Sequence, residues 1–373
     1  MITSLSISGF RGFQTLSIED VGQVNLFVGR NGCGKTSVLE ATALFASAGS
    51  PGALFEIMAN RGELIGHVKR DYLNWEYDVS HLFRGHRFGS GYAFEIEGSG
   101  RKPSAIRCEV VDVAALPEDL RQRAQWVGFA GMELDVASPF ALYLHNPEDS
   151  KPLVIGLSSR NGIDRGTINR PDIREREKSS RTRLIWAKGL DPSEMALWWN
   201  QVVLTPEEND VVEALKILEP DIERIAFLGR DRLDSFERRL GSSGIFVKMH
   251  GSSDRVPLGS VGGGMERLLG IALALSISAD GYVMVDEIDT GLHFSLMSKM
   301  WGMVIRTAQR LNVQVFAATH SLDCLRGLAV LHRHSPELSE SVRVHRLEKD
   351  LEKAITYSGA DMVVADEHRV EVR

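Results

Sequence analysis

A glycine-rich loop near the N-terminus has the residue spacing of a phosphate-binding site. Residues 29–36 match the pattern G-x-x-x-x-G-K-[ST]. Glycines let backbone N–H groups approach phosphate oxygens, and the start of a following helix adds partial positive charge. Lys35 is expected to contact the β- and γ-phosphates, and the Thr36 hydroxyl is expected to hold Mg²⁺. The predicted nucleotide contacts are Gly29, Arg30, Asn31, Gly32, Cys33, Gly34, Lys35, Thr36 and Ser37.

An apolar segment later in the chain ends in two acidic residues. Tyr282–Val285 is predicted to be a buried strand, and Asp286 and Glu287 follow it. Ligands of parallel sheets bind at the carboxyl ends of strands, where these acids would lie. Asp286 is predicted to bind Mg²⁺, and Glu287 is predicted to polarise the attacking water. Met362–Glu367 has the same pattern, an apolar run followed by Asp and Glu, but no strand-to-helix pattern follows it. It is therefore expected to be only the end of a strand.

A second glycine-rich segment lies ahead of these acids. Residues 260–264 stand at the head of an apolar helix that is predicted over Met265–Ser278. Exposed N–H groups and the positive end of a helix suit a phosphate. Because the first loop already cradles one nucleotide, this second cradle is expected to face the γ-phosphate held by another copy of the chain. The predicted contacts in it are Ser260, Gly262, Gly263 and Gly264.

A histidine follows the next predicted strand. Val313–Ala318 is apolar and predicted to be buried, and it runs into Thr319 and His320. At that strand end the side chain of His320 can sense the γ-phosphate. Glu287 and His320 are therefore the two predicted catalytic residues.

The elements that would position these residues alternate between strands and helices. Val24–Val28 is short, β-branched and apolar, which predicts a buried strand that leads into the phosphate loop. Apolar residues at helical spacing follow over 38–45, and another amphipathic pattern spans 294–308. This alternation predicts a parallel, mostly covered sheet.

Other segments carry different patterns. Residues 4–8 alternate between serine and aliphatic side chains, and a second alternating run begins over 16–18, which predicts an N-terminal β-hairpin. Strands are also predicted over 92–96 and 105–113, and a helix over 206–218.

Composition excludes several classes of protein. The chain has 373 residues and a net charge of −7, so about two or three folded units are expected, and DNA binding by bulk charge is disfavoured. No apolar run approaches the roughly 18 residues that a membrane span requires, and no secretory signal is visible. Three scattered cysteines are too few for a disulfide framework or a zinc site. A cytoplasmic protein without membrane contact is therefore expected.

One segment departs from the acidic balance. Residues 160–190 contain nine basic and four acidic residues, an excess of five positive charges. Such a run is typical of a solvated or mobile surface. The alternative is a basic contact for nucleic acid or for an acidic partner.

These motifs, in this order, resemble the ABC-type ATPase heads shared by SMC, RecF and OLD-family proteins. Residues 7–13 and 24–32 are similar to the opening of OLD-type ATPases, and residues 368–373 are similar to the tail of their free-standing, single-gene relatives. Residues 285–293 and 314–321 are similar to their Walker B and His-loop segments. The motif matches cover about 1–45 and 255–325.

The resemblance implies an α/β fold, a P-loop ABC-type ATPase head with a parallel or mixed sheet and an N-terminal β-hairpin. Residues 1–52 and 251–373 would form this head, and 53–250 would form a large α+β insertion. It also implies ATP and Mg²⁺ as cofactors. Residues 260–264 would be the signature loop, which acts in trans in a homodimer or a higher oligomer, and His320 would be the switch histidine.

Some positions depart from the pattern or stay open. His293 stands where SMC and transporter heads place an aspartate after the catalytic glutamate. No Q-loop glutamine can be assigned: Gln122 and Gln125 are candidates, and His81–His86 is a substitute region. Phe10 and Arg11 either cap the nucleotide or only complete the hairpin.

Related classes fit less well. Lys35 and Gly262 are 227 positions apart, far more than in compact transporter subunits, and no coiled coil occupies that stretch as in an SMC protein. The Asn-Lys-x-Asp motif of G proteins is absent. The 52 residues after Ser321 are too few for the C-terminal TOPRIM domain of full-length OLD nucleases.

The leading hypothesis is therefore an ATPase that dimerises around two ATP molecules and regulates a separate effector. The resemblance implies a TOPRIM-type nuclease as that effector, in phage defence or DNA metabolism. A RecF-like DNA-binding repair ATPase, touching DNA through 160–190, is the alternative. A scaffold with very slow ATP turnover is a third hypothesis.

Overall fold

The computed structural model describes most of the chain and divides it into two compact units. The described residues are 1–69, 72–100, 104–124, 137–147, 151–158, 160–171, 173, 181–227, 244–252 and 254–372. The first unit comprises Met1–Val21, Thr36–Ser180 and Glu348–Ala354, and the second comprises Gly22–Lys35, Arg181–Leu347 and Ile355–Arg373. These bounds differ from the head and insertion expected above, whose functional division stays a prediction.

The strands and helices of the described residues have the following bounds. In chain order the strands are β1 (Ile2–Ser8), β2 (Thr15–Ile18), β3 (Val24–Val28), β4 (Leu64–Lys69), β5 (Tyr72–Asp78), β6 (Ala93–Gly100), β7 (Ser104–Asp112), β8 (Ala137–His145), β9 (Leu153–Ser158), β10 (Gly162–Asp164), β11 (Thr182–Ile185), β12 (Ile222–Phe227), β13 (Ile245–Met249), β14 (Arg255–Pro257), β15 (Tyr282–Val285), β16 (Gln314–Ala318), β17 (Val342–Arg346) and β18 (Ile355–Ser358). The helices are Lys35–Ala46, Pro51–Arg61, Glu118–Ala124, Pro192–Val202, Glu207–Leu215, Leu258–Val261, Met265–Ile277, Met297–Arg310, Leu322–His334, Pro336–Ser339 and Gly359–Glu367.

The first unit is built on an antiparallel sheet in the order β2-β1-β6-β7-β8-β9. The predicted hairpin is confirmed, since Leu5 pairs with Ile18 and Ile7 with Leu16. The aliphatic residues of β1 are buried and its serines are not, as the alternating pattern requires. The strands predicted over 92–96 and 105–113 overlap β6 and β7, with ends shifted by one or more residues. A smaller antiparallel sheet, β10-β5-β4, belongs to the same unit.

The second unit contains a mixed sheet in the order β11-β15-β16-β3-β17-β18. All neighbours pair in parallel except β17 and β18, which are antiparallel. Every residue of β3 is buried, as expected for a strand inside a parallel sheet. Three predicted strands are therefore confirmed: β3 before the phosphate loop, β15 before the acid pair and β16 before His320. They are adjacent in the sheet, with β16 in the middle. A small antiparallel sheet, β12-β13-β14, completes this unit.

Most predicted helices are found, with shifted ends. The helices expected over 265–278, 294–308 and 206–218 are observed over Met265–Ile277, Met297–Arg310 and Glu207–Leu215. The prediction of a strand end at Met362–Glu367 is wrong, because these residues belong to the helix Gly359–Glu367. A capping box explains the difference: the side chains of Ser358 and Asp361 satisfy each other's backbone N–H groups.

The described residues contain no helix long and apolar enough to cross a membrane.

Candidate nucleotide site

The phosphate loop joins β3 to the helix Lys35–Ala46 and turns on glycines. Gly29, Gly32 and Gly34 have positive φ angles of 145°, 77° and 102°. At Gly29 a Cβ atom would also collide with the backbone oxygen of Leu347 and lie 2.8 Å from the sulfur of Cys33. The loop therefore needs glycine at its first position, both for backbone conformation and for space.

Lys35 closes this loop on itself. Its ammonium Nζ donates hydrogen bonds to the carbonyl oxygens of Gly29, at 2.9 Å, and Arg30, at 3.3 Å. The side chain is buried, whereas Arg30 and Asn31 are exposed. Nζ is thus held within the loop as a point charge with three donors, which is the chemistry that phosphate oxygens need.

The predicted catalytic pair meets at the carboxyl ends of β15 and β16. The Nδ1 atom of His320 lies 2.7 Å from Oε2 of Glu287, so the imidazole can donate to the carboxylate. Glu287 has a left-handed backbone, with φ of 51°, which turns the chain away from β15. Its neighbour Asp286 is buried. The structure therefore brings together two residues that the sequence predicted separately, and it places their direct contact.

A second contact fixes the loop that carries His320. The hydroxyl of Thr319, which is fully buried, donates to Oδ1 of Asp289 at 2.5 Å. The same hydroxyl accepts the backbone N–H of Ser321 at 2.9 Å. The ends of β15 and β16 are therefore joined by two side-chain contacts, Glu287 with His320 and Asp289 with Thr319. Sequence reasoning did not single out the Thr319–Asp289 link, because nothing local marks a pair that is 30 positions apart.

Sequence reasoning also missed Arg267, which anchors the acid pair from the helix Met265–Ile277. Its buried guanidinium donates to the carbonyl oxygens of Trp186 and Glu287, both at 2.8 Å, and to that of Asp286. Burial lowers the pKa of Arg267 to about 10, although the carboxylates of Asp286, Asp289 and Glu287 act in the opposite direction. The signal that could have found it is an arginine within a largely apolar helix, at a position that is buried.

Replacing Arg267 by methionine is expected to loosen the acid pair. Each carbonyl left without its donor costs about 1–3 kcal/mol, so the free energy of unfolding should fall by at least about 3 kcal/mol. The rate of ATP hydrolysis should fall more than the affinity for ATP, since the main chain of Glu287 is released. Urea unfolding and a comparison of kcat with KM would measure both effects. Arg306→Met, at an exposed arginine, is the matched control, and an unchanged unfolding free energy would contradict this role.

The second glycine run packs closely on one side and is open on the other. At Gly264 a Cβ atom would lie 2.7 Å from the backbone oxygen of Gly291 and from a methyl carbon of Leu292. At Gly262 and Gly263 an added Cβ would meet no described heavy atom within 4 Å. Ser260, Gly262 and Gly263 are exposed. The run thus rests on the loop after the acid pair and presents its outer face to solvent.

Phe10 and Arg11 complete the hairpin of the first unit. Phe10 is fully buried, and its ring meets the edge of Phe94 at a centroid distance of 5.0 Å. Arg11 forms buried ion pairs at 2.5 Å with both Glu40 and Glu63. Phe10 and Arg11 therefore have a structural role in the first unit, as one of the two interpretations predicts.

The remaining candidates are partly placed. Gln122 is exposed on the helix Glu118–Ala124, and Gln125 lies outside the described residues. Within the basic segment 160–190, residues 172 and 174–180 also lie outside the described part. Arg170 is buried and donates to a backbone carbonyl at 3.4 Å. The strand β11, which was not predicted, belongs to this segment and pairs with β15 at the sheet edge.

Two family models match the chain. The model described as "AAA ATPase domain" matches residues 1–83. The model described as "AAA domain, putative AbiEii toxin, Type IV TA system" matches residues 168–325. An uncharacterized protein of Methanocaldococcus jannaschii is 43% identical over 67 residues, which are 17% of this chain and 31% of that protein. The match thus spans about a third of the length of that relative.

The chain is also similar to solved SMC heads. The SMC head domain from Thermotoga maritima has 14% identity and a TM-score of 0.44 over 96% of this chain and 98% of that one. An Smc head bound to the C-winged helix domain of ScpA has 12% identity and a TM-score of 0.49 over 96% and 97%. An Smc head with an extended coiled coil, bound to the C-terminal domain of ScpA derived from Pyrococcus furiosus, has 12% identity and a TM-score of 0.46 over 99% of both chains.

The phosphate loop, the mixed sheet behind it and the two matched family models agree. The first model contains the phosphate loop, and the second contains the glycine run, the acid pair and His320. The chain therefore has a P-loop fold, and two ATPase-domain models match the segments that carry its nucleotide-site motifs.

Proposed function

We propose that the protein dimerises head to tail around two ATP molecules and uses ATP hydrolysis to regulate a separate effector. The observation that carries this proposal is the open outer face of Gly262 and Gly263, beside exposed Ser260. A phosphate cradle that faces solvent can receive a triphosphate held by a second copy. Such an interface is two-fold and self-complementary, so both sites form together.

The roles follow from residue chemistry. Lys35 and the backbone of Gly29–Gly34 hold the phosphates. The Thr36 hydroxyl and the Asp286 carboxylate are oxygen donors of the kind that Mg²⁺ prefers, and Mg²⁺ would neutralise charge on the phosphates. Glu287 orients the attacking water and accepts its proton. His320 contacts the carboxylate of Glu287 and holds this carboxylate in place. The same histidine senses the γ-phosphate.

The energetics of the cycle rest on differential binding. ATP drives closure only to the extent that it binds the closed dimer more tightly than the open form. Loss of the γ-phosphate removes the bridge between the two copies, and the dimer opens.

The effector belongs to the same proposal. The resemblance to OLD-type ATPases supports a separate nuclease of TOPRIM type, in phage defence or DNA metabolism in the cytoplasm. The second family model, whose description names a toxin of a type IV TA system, fits a protein that acts together with another gene product.

The test is the mass of the protein in solution with Mg²⁺ and a non-hydrolysable ATP analogue. Wild-type protein is expected to form a dimer. Gly263→Asp is expected to bind the analogue, keep its stability and stay monomeric, because the new carboxylate meets open space in one copy and a phosphate in the other. Lys35→Ala should lose about 1.5–3 kcal/mol of binding free energy, the worth of a charge-assisted hydrogen bond.

Gln201→Glu, which adds the same charge at an exposed position of the helix Pro192–Val202, is the control. A wild-type protein that stays monomeric when saturated with the analogue would remove the proposal.

A further inference from the structure

The first unit contains a cavity of about 740 Å³ that is rich in basic side chains. This volume lies in the range of about 300–1,000 Å³ that is usual for small-molecule sites. Four arginines and two histidines line it against one carboxylate, in a protein whose net charge is −7. The cavity is therefore a local concentration of positive charge that the sequence analysis did not predict.

The charge that remains uncompensated is that of two arginines. Arg11 and Arg61, which also line the cavity, form ion pairs with Glu40. The guanidinium groups of Arg84 and Arg87 have no hydrogen bond or ion pair to any residue in the described ranges, and both side chains are exposed. Two guanidinium forks at one cavity can bind phosphate oxygens with charge-assisted hydrogen bonds.

These arginines are carried by a segment that is tied to the hairpin. The backbone N–H of Arg84 donates to the oxygen of Gly9, and that of Arg11 donates to the oxygen of Leu82, both at 2.9 Å. Between the two arginines, the Nδ1 atom of His86 lies 2.8 Å from that of His81. The arginine positions are thus supported by the core of the first unit, which reduces the entropy lost when a ligand binds.

The same cavity offers an aromatic surface and the start of the phosphate-loop helix. Tyr92 lines it with 38% of the residue exposed, and a tyrosine ring can stack on a nucleobase. Ser37 also lines the cavity, one residue after Thr36. The lining therefore combines guanidinium groups, which can bind a phosphate, with an aromatic ring, which can stack on a base.

We propose that this cavity binds a nucleoside phosphate, with a phosphate on Arg84 and Arg87 and the base on Tyr92. This nucleotide is a second one, distinct from the ATP that residues 29–36 are proposed to hold. The volume of the cavity fits a single nucleotide better than a nucleic-acid strand.

The test is calorimetric titration of the full-length protein with ATP, read as the number of sites and the dissociation constant. Arg84→Ala with Arg87→Ala is expected to weaken one site at least about tenfold, since two charge-assisted hydrogen bonds are lost. Tyr92→Leu should weaken the same site, and Tyr92→Phe should retain it. The charge-matched control is Arg306→Ala with Lys349→Ala, at two exposed residues outside the cavity.

Lys35→Ala separates the cavity from the phosphate loop. A wild type that binds a single ATP, which Lys35→Ala loses, would overturn the proposal. If the cavity holds a second nucleotide, Lys35→Ala keeps one site and the double arginine variant keeps the other. ATP binding that the arginine and Tyr92 variants leave unchanged would overturn the cavity proposal alone. If these variants lose binding to single-stranded DNA while ATP binding is unchanged, the cavity binds a nucleic-acid strand and the proposal is also overturned.

Discussion

Glu287→Gln is expected to lower the rate of ATP hydrolysis by about 10²–10⁴-fold while ATP still binds. The amide is nearly isosteric with the carboxylate but cannot accept the proton of the attacking water. The amide oxygen can still accept a hydrogen bond from Nδ1 of His320, which lies 2.7 Å from the carboxylate in the wild-type protein. The variant should therefore accumulate as the ATP-bound dimer.

Single-turnover hydrolysis and solution mass with ATP and Mg²⁺ would measure both effects. Glu337→Gln, at an exposed acid on another helix, is the matched control and should hydrolyse at the wild-type rate. A Glu287→Gln protein with normal turnover would show that another group accepts the proton.

The second large effect is expected for Arg11→Ala, which should lower the free energy of unfolding by about 3–5 kcal/mol. Glu40 is fully buried, and its carboxylate is paired with Arg11 at 2.5 Å and with Arg61 at 2.7 Å. Removing Arg11 leaves much of that buried charge uncompensated. Arg107→Ala, at an arginine with surface ion pairs, should cost no more than about 1 kcal/mol.

This loss should depend on pH. Burial raises the pKa of Glu40, whereas Arg11 and Arg61 lower it, and the raising effect is larger. Without Arg11 the pKa rises further, so the folded state binds the proton more tightly than the unfolded state does. Stability then falls as pH rises, and the deficit of Arg11→Ala should be smallest where Glu40 is protonated and largest above that range.

Urea unfolding of both proteins between about pH 5 and about pH 8 would measure this trend. Adding Glu40→Gln to Arg11→Ala should remove the pH dependence of the deficit. A deficit that is equal across this range would mean that Arg11 stabilises the fold by packing and not by charge.

The parts of the fold that the sequence predicted are those whose signal is local. The strand, loop and helix around residues 24–46 follow from one continuous pattern of apolar residues and glycines. The same holds for β15 and β16, whose apolar runs end at the acid pair and at His320. Met362–Glu367 was misread because its apolar residues fit either period, and the deciding signal was the pair Ser358 and Asp361 upstream.

The contacts that hold the candidate site together could not be predicted in this way. Arg267 reaches Trp186, 81 positions away, and Thr319 reaches Asp289. Such pairs depend on how helices and strands cross, which a single sequence does not encode locally. β11 was missed because its charged flanks resemble a surface segment, although it pairs with β15. The roles assigned to the site residues remain predictions, which the variants above test.

The left-handed backbone of Glu287 has a consequence for which residue suits this position. A non-glycine residue in this conformation costs on the order of 1–3 kcal/mol of folding free energy, and asparagine or glycine would cost less there. An inactive sequence could therefore be the more stable one. The residue that the proposed role requires at this position is therefore not the one that the backbone conformation favours.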